Sequence, residues 1–218
     1  RQFVIVEGLL GFYSSVMRQF YDVKVYLDPP EDLRTVWKVK RDTSKRGYKP
    51  QQVLDELIKR EPDSRDYIRP QRRHADIVVQ FSPPTGVASE DAGPALNVCL
   101  TLRPTIPHPD LGYLAGRQSS DEAGVRLKLG RADGMPVDFL EIDGSVTATH
   151  AQELEDVIWQ HLPDQQPLRE DMFGDYQDRA EIKHSHPLGL TQLLLTYHLL
   201  RQYKDSSSLP FAPPVAAM

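Results

Sequence analysis

Two groups of residues in this sequence have the types and spacing to do chemistry. Glu7, in VIVEGL, follows the apolar residues 3–6 and precedes Gly8. A carboxylate at the end of a rigid strand, next to a residue without a side chain, offers a hard oxygen donor with room for a ligand to approach, which suits magnesium. The same placement also suits a carboxylate that caps a neighbouring helix. The second group is basic. In KVKRDTSKRGY (38–48), Lys38 and Arg41 lie three residues apart and share a helical face, and Arg46 falls just before Gly47, past the expected helix end. Three cations thereby reach one space. A guanidinium fork grips two phosphate oxygens and stays charged, so the pattern suits a small polyanion. A solvated basic helix has the same pattern.

The charge balance favours the small ligand over a polymer. The whole chain carries a formal charge of -5, yet seven Lys or Arg and one acid fall between Arg34 and Lys49. That overall sign argues against a general nucleic-acid or membrane-surface binder. No apolar run approaches the roughly 18 residues of a membrane span. The single cysteine, Cys99, cannot form an internal disulfide, so an oxidising compartment is not required and cytoplasm is the expected location.

The elements that must position these residues read as α/β. Residues 3–6 are continuously apolar and predict a strand buried on both faces, 13–20 a helix, and 23–28 a second strand. Asp28 is expected to cap a helix with Pro29 at its first position, Glu31 and Asp32 in the first turn, and an end near Asp42. Gly47 stops anything longer. Pro50 opens a further helix with Val53, Leu54, Leu57 and Ile58 on one face, and 75–81 is a third strand. Residues 82–95, rich in Pro, Gly, Ser and Ala, divide this first part (1–81) from a second (96–218) packed on it. The second part opens as antiparallel sheet. Strands at 96–102, 124–130 and 137–143 are expected, the last two joined at the turn pair Asp133-Gly134. Helices at 151–162, with Leu154, Val157, Ile158 and His161 on one face, and at 188–203 follow, with a frayed tail from 206 onward.

Together with KREPDSRDYIRPQRRHADIVVQF (59–81), the two chemical segments resemble the phosphoribulokinase and uridine kinase branch of the P-loop kinases. The basic run is similar to the family's RD-x-x-x-RG lid, which closes over transferring phosphates. REPDSRDYIRPQ is similar to the R-K-P-D, Y-I and P-Q run of cyanobacterial and plant phosphoribulokinases, and favours that member over uridine kinases. The resemblance implies a P-loop kinase core with an antiparallel extension. It implies ATP and Mg²⁺ as cofactors and ribulose 5-phosphate as acceptor, giving ribulose 1,5-bisphosphate for carbon fixation in the Calvin cycle. It makes Glu7, Lys38, Arg41 and Arg46 the candidates for catalysis, Glu7 holding the magnesium directly or through water. Arg60, Arg65, Tyr67 and Arg69 become candidates for the sugar-phosphate or nucleotide pocket. Small-molecule partners and a homo-oligomer are implied, with no nucleic acid or membrane.

Departures accompany the match. Leu10 stands where members often have the histidine of EGLH, and no G-x-x-x-x-G-K-[ST] loop occurs in residues 1–218. That loop and the family's aspartate base are expected upstream of Arg1, so residues 1–218 alone are expected to be inactive. A related kinase with another acceptor such as uridine, or a non-catalytic assembly module, are the alternatives. His184, His186 and His198 do not make a metal site, because no further ligand lies at suitable spacing, and Pro187 marks a helix start instead. Cys99 has no basic or histidine neighbour in sequence to activate it. It has no partner for a C-terminal redox pair like that of the regulated plant enzymes.

Overall fold

The computed structural model describes residues 3–93, 95–115, 124–162, 173–178 and 181–208. Five strands form one mixed sheet in the order β1-β2-β3-β5-β4: Val25–Leu27, Ile77–Ser82, Asn97–Leu102, Met135–Ile142 and Val125–Ala132. β1 and β2 run parallel, whereas β2–β3, β3–β5 and β5–β4 are antiparallel. Ile77, Val78 and Val79 are all buried, as an unbroken apolar run in a strand covered on both faces should be. In β3 the alternation holds: Val98, Leu100 and Leu102 join Leu140, Ile142 and Val125 in the core. Helices α5 (Ala148–Gln160) and α6 (His186–Ser208) close that face with Leu154, Ile158, Leu190, Leu193, Leu194 and Tyr197. The β4–β5 turn falls on Asp133 and Gly134, at φ 51° and 80°, the doubly left-handed turn that suits strand twist. The fold is therefore α/β with an antiparallel extension.

Several expectations fail locally. Residues 3–6 are not a strand; Val4 and Ile5 are 82% and 81% exposed, and no described strand lies beside them. An apolar sequence becomes a strand only where a ladder partner exists. The helix at 13–20 shrinks to α1, Ser15–Arg18, whose N-cap Ser14 makes no side-chain bond. Asp28 does not cap the next helix. Pro30 takes the cap position of α2 (Glu31–Arg46), and the Asp28 carboxylate instead accepts from Arg72 Nε at 2.8 Å. Arg46 is the last residue of α2 rather than a residue beyond it, because the chain turns only at Gly47, φ 70°. His161 caps α5 from outside its helical span and is exposed, so it leaves the apolar face.

α3 (Pro50–Asp63) begins at its proline as predicted, with Lys49 N–H donating to Gln52 Oε1 at 2.9 Å. Of its four-residue apolar stripe only Val53 is buried, and Ile58 is 73% exposed. The helix then loosens into a π turn, Ser64–Ile68, and a 3₁₀ turn, Arg69–His74, neither legible in the periodicity. A separate two-stranded antiparallel sheet, β6 (Asp175–Asp178) with β7 (Glu181–His184), was not expected either. A short helix α4, Gly112–Ala115, completes the described elements. The tail from 209 onward and Pro94 of the 82–95 connection lie outside the described residues.

Candidate functional site

The basic residues of α2 are gathered by an acid that the sequence reading passed over. Asp42 is buried, and its carboxylate accepts from Arg41 Nε at 2.9 Å and lies 3.5 Å from Arg46 Nη1. The Arg41 hydrogen bond, and then the charges of Arg41, Arg46 and Lys38, hold its pKa below the usual carboxylate range. Lys38 shares this space. Partial burial lowers its pKa first, Asp42 opposes that, and the charges of Arg60 and Arg41 push it down further. Lys38, Arg41, Arg46 and Arg60 thus form one electropositive group at the C-terminal half of α2. Arg41 and Arg46 are more than half exposed, so the anchored guanidiniums still present donors to solvent. Such a group can neutralise a multiply charged phosphate.

The remaining candidates sit elsewhere. Arg69 pairs with Glu61 at 2.7 Å and lies 3.6 Å from Glu31, at the opposite end of α2 from Arg46. Sixteen residues of helix separate the two ends by about 24 Å. Arg65 is drawn to its neighbour Asp66 at 2.8 Å, whereas Arg60, which stays near Lys38, also pairs with Glu56 at 3.2 Å on its own helix. Tyr67 is exposed and meets the Tyr13 ring edge-on at 5.9 Å. Glu7 is exposed on the unpaired N-terminal stretch, so the rigid strand-end mount expected for it is absent.

A second cluster near the start of α2 escaped the sequence reading. Asp28 at the end of β1, Arg34 and Arg69 surround Tyr26, with Arg72 bridging Asp28 at 2.8 Å and Asp133 at 3.1 Å. Burial, then Asp28, raises the pKa of Tyr26, and the arginines oppose the rise. The signal in the sequence was an acid directly after a short apolar strand, but it was read as a helix cap. Behind the cluster, Asp76 is buried at the head of β2 and accepts from Lys24 N–H at 2.8 Å and Thr105 Oγ1 at 2.7 Å. It ties Lys24 and Thr105 to the head of β2.

The histidine pair His184 and His186 is held by Asp175, 2.9 Å from His184 Nδ1, and no group of three metal-ligating side chains occurs among the described residues. Cys99 is half-buried; burial and then Glu141 raise its thiol pKa, which makes it a poor nucleophile.

Comparison with known proteins follows the same residues. The model of the phosphoribulokinase / uridine kinase family matches residues 1–88. The chloroplastic phosphoribulokinase of Chlamydomonas reinhardtii is 30% identical over 155 residues, 65% of this chain and 41% of that protein. The phosphoribulokinase of Synechocystis has the same identity and share of this chain, with 46% of its own length covered. Uridine-cytidine kinase A of Dictyostelium discoideum is 37% identical over 79 residues, 35% of this chain and 15% of that protein. A solved phosphoribulokinase from Rhodobacter spheroides superposes with TM-score 0.43 at 23% identity, over 63% of this chain and 47% of that one. The chain spans less than half the length of these phosphoribulokinases. Residues 1–88, which hold the basic end of α2 and the arginine-rich turns after α3, are similar to the phosphoribulokinase / uridine kinase family.

Proposed function

We propose that the chain is part of an ATP-dependent kinase that phosphorylates a small sugar phosphate, ribulose 5-phosphate, to ribulose 1,5-bisphosphate for carbon fixation. The observation that carries the reading is the group of Lys38, Arg41 and Arg46 around Asp42, with Arg60 near Lys38. Phosphoryl transfer asks a protein mainly for position and for positive charge where negative charge is spread, and this group supplies both. Asp42 costs some of that charge but fixes where the guanidiniums stand. Magnesium, when bound, would supply further positive charge to the phosphates. Glu7 would be the residue to hold it: although it lacks the rigid strand-end mount, it is an exposed carboxylate with no ion pair among the described residues, and such an ion takes one or two carboxylates from protein. Ribulose 5-phosphate is favoured over uridine because the likeness to proteins named phosphoribulokinase runs over 155 residues, about twice the 79 shared with the uridine-cytidine kinase. A cytoplasmic location and homo-oligomeric assembly belong to the same proposal.

The test is an assay of the protein in the length its gene encodes, with ATP, magnesium and either acceptor. Ribulose 5-phosphate should be turned over faster. Equal or faster use of uridine would move the acceptor to the nucleoside side, and no transfer to either would favour a non-catalytic assembly module. In the same assay Glu7→Gln, nearly unchanged in shape, should lose at least about tenfold in rate, roughly 1.4 kcal/mol of barrier, and should weaken the magnesium dependence. A wild-type rate would return Glu7 to a structural role.

A further inference from the structure

We propose that Gln71 is a positioning residue for Glu7 and Tyr67, clamping the turn that follows Glu7 to the backbone of Tyr67; this rests on the kinase reading given above. Gln71 is 4% exposed in the 3₁₀ turn after α3, and every hydrogen bond of its side chain goes to backbone. Its Oε1 accepts from Phe12 N–H at 2.7 Å. Its Nε2 donates to Leu9 O at 2.9 Å and to Tyr67 O at 2.7 Å. The partners fix the orientation of the amide. Only an oxygen can meet the Phe12 N–H, and only an NH₂ can meet two carbonyls, so one amide uses both donors and one acceptor.

The geometry matters because of what is clamped. Residues 9–13 form consecutive turns outside any described strand or helix, and their long-range backbone hydrogen bonds run to Gln71, 59 residues away from Phe12. Within the segment, Tyr13 N–H donates to Leu10 O at 3.2 Å, and Arg18 Nη1 donates to Phe12 O at 2.6 Å and Tyr13 O at 2.9 Å. On the other side, Tyr67 O is held while the Tyr67 ring meets Tyr13. One buried amide therefore ties the turn that follows the carboxylate proposed for magnesium to the π turn carrying Arg65 and Tyr67. Gln71 reaches no substrate itself; it acts through Glu7 and Tyr67. A displacement of about 1 Å at reacting groups is enough to cost on the order of a hundredfold in rate.

The test uses the full-length protein with two substitutions and two readouts. Gln71→Leu removes all three bonds; the Phe12 amide should then exchange at least about tenfold faster with solvent, and kcat/KM should fall at least about tenfold. Gln71→Glu keeps the acceptor but, when ionised, points a charge at two carbonyls, which along with burial raises its pKa. Once protonated it regains a donor. Its rate relative to wild type should therefore climb as pH falls from 8 to 6, while the Gln71→Leu ratio stays flat. A merely structural role would not produce that pH-dependent rescue. Faster Phe12 exchange with kcat/KM within about twofold of wild type, or a flat Gln71→Glu ratio, would overturn the positioning role. Unchanged Phe12 exchange in Gln71→Leu would overturn the clamp. If the wild-type protein transfers phosphate to neither acceptor, the kinase reading falls and takes the catalytic half of the proposal with it; exchange at Phe12 still decides the clamp.

Discussion

Arg103→Met is expected to destabilise the protein by about 3 kcal/mol or more, a large part of the roughly 5–15 kcal/mol that holds a domain folded. Arg103 is fully buried at the end of β3. Its Nη1 donates to Arg73 O at 2.9 Å, and its Nη2 to Asp133 Oδ2 at 2.5 Å and Arg72 O at 3.4 Å. Removing the guanidinium leaves Asp133 one donor short and strands the Arg73 carbonyl, at about 1–3 kcal/mol for a buried group without a partner, while Arg72 O keeps the Ala75 N–H at 3.2 Å. The loss at Asp133 is softened, because that carboxylate is partly exposed and keeps Arg72 at 3.1 Å. Urea unfolding checks the figure, and a loss below about 1 kcal/mol would show that the Arg73 carbonyl finds another donor. Arg103→Lys should recover only part, since one ammonium cannot span the hairpin turn and the 3₁₀ turn together.

Acid should act through α6. Burial, then the charges of His108 and Arg201, lowers the pKa of His198 to about 3, with a hydrogen bond to the Pro107 carbonyl opposing the shift. Its Nε2 lies 3.2 Å from His108 Nδ1, and His108 Nε2 donates to Arg103 O at 2.7 Å; Tyr197 packs edge-on at 5.1 Å. His108 is itself shifted down, chiefly by burial. The folded pKa of His198 is depressed, so the unfolded chain binds the extra proton. Its contribution is complete above about pH 6.5 and is lost as pH falls toward 3, at about 1.4 kcal/mol per pH unit and roughly 5 kcal/mol in all. Denaturation midpoints taken from pH 7 to pH 4 should fall more steeply in wild type than in His198→Gln, which cannot take the proton. Parallel slopes would mean that His198 titrates normally and that the pair is open to water.

Much of the sheet was legible because its patterns are local. Alternation at Val98, Leu100 and Leu102 and the Asp133-Gly134 turn fix strands and hairpin without knowledge of anything distant. The nearness of Lys38 and Arg41 was legible for the same reason, since helical spacing brings them to one face, whereas Arg46, expected past the helix end, closes α2 itself. What failed depended on partners far away in sequence. Residues 3–6 read as a strand, yet strand formation is a property of the ladder rather than of the run. Asp28 had the credentials of a cap but is taken by Arg72, 44 residues on. Gln71 and Asp42 looked like spacing between arginines, since a polar residue shows its role only through the backbone groups or charges it meets. The separation of Arg69 from Arg46 by the length of α2 could not be seen in a motif read as one line.

The six-residue register between β2 and β3, Ile77 opposite Leu102 through Ser82 opposite Asn97, lies in the middle of the five-stranded sheet. The Pro- and Gly-rich stretch between them is therefore a connection inside a single ladder. For anyone trimming the chain, a cut there would turn an interior seam into two bare margins of unpaired N–H and C=O groups, each a template for whatever strand it met in a concentrated solution.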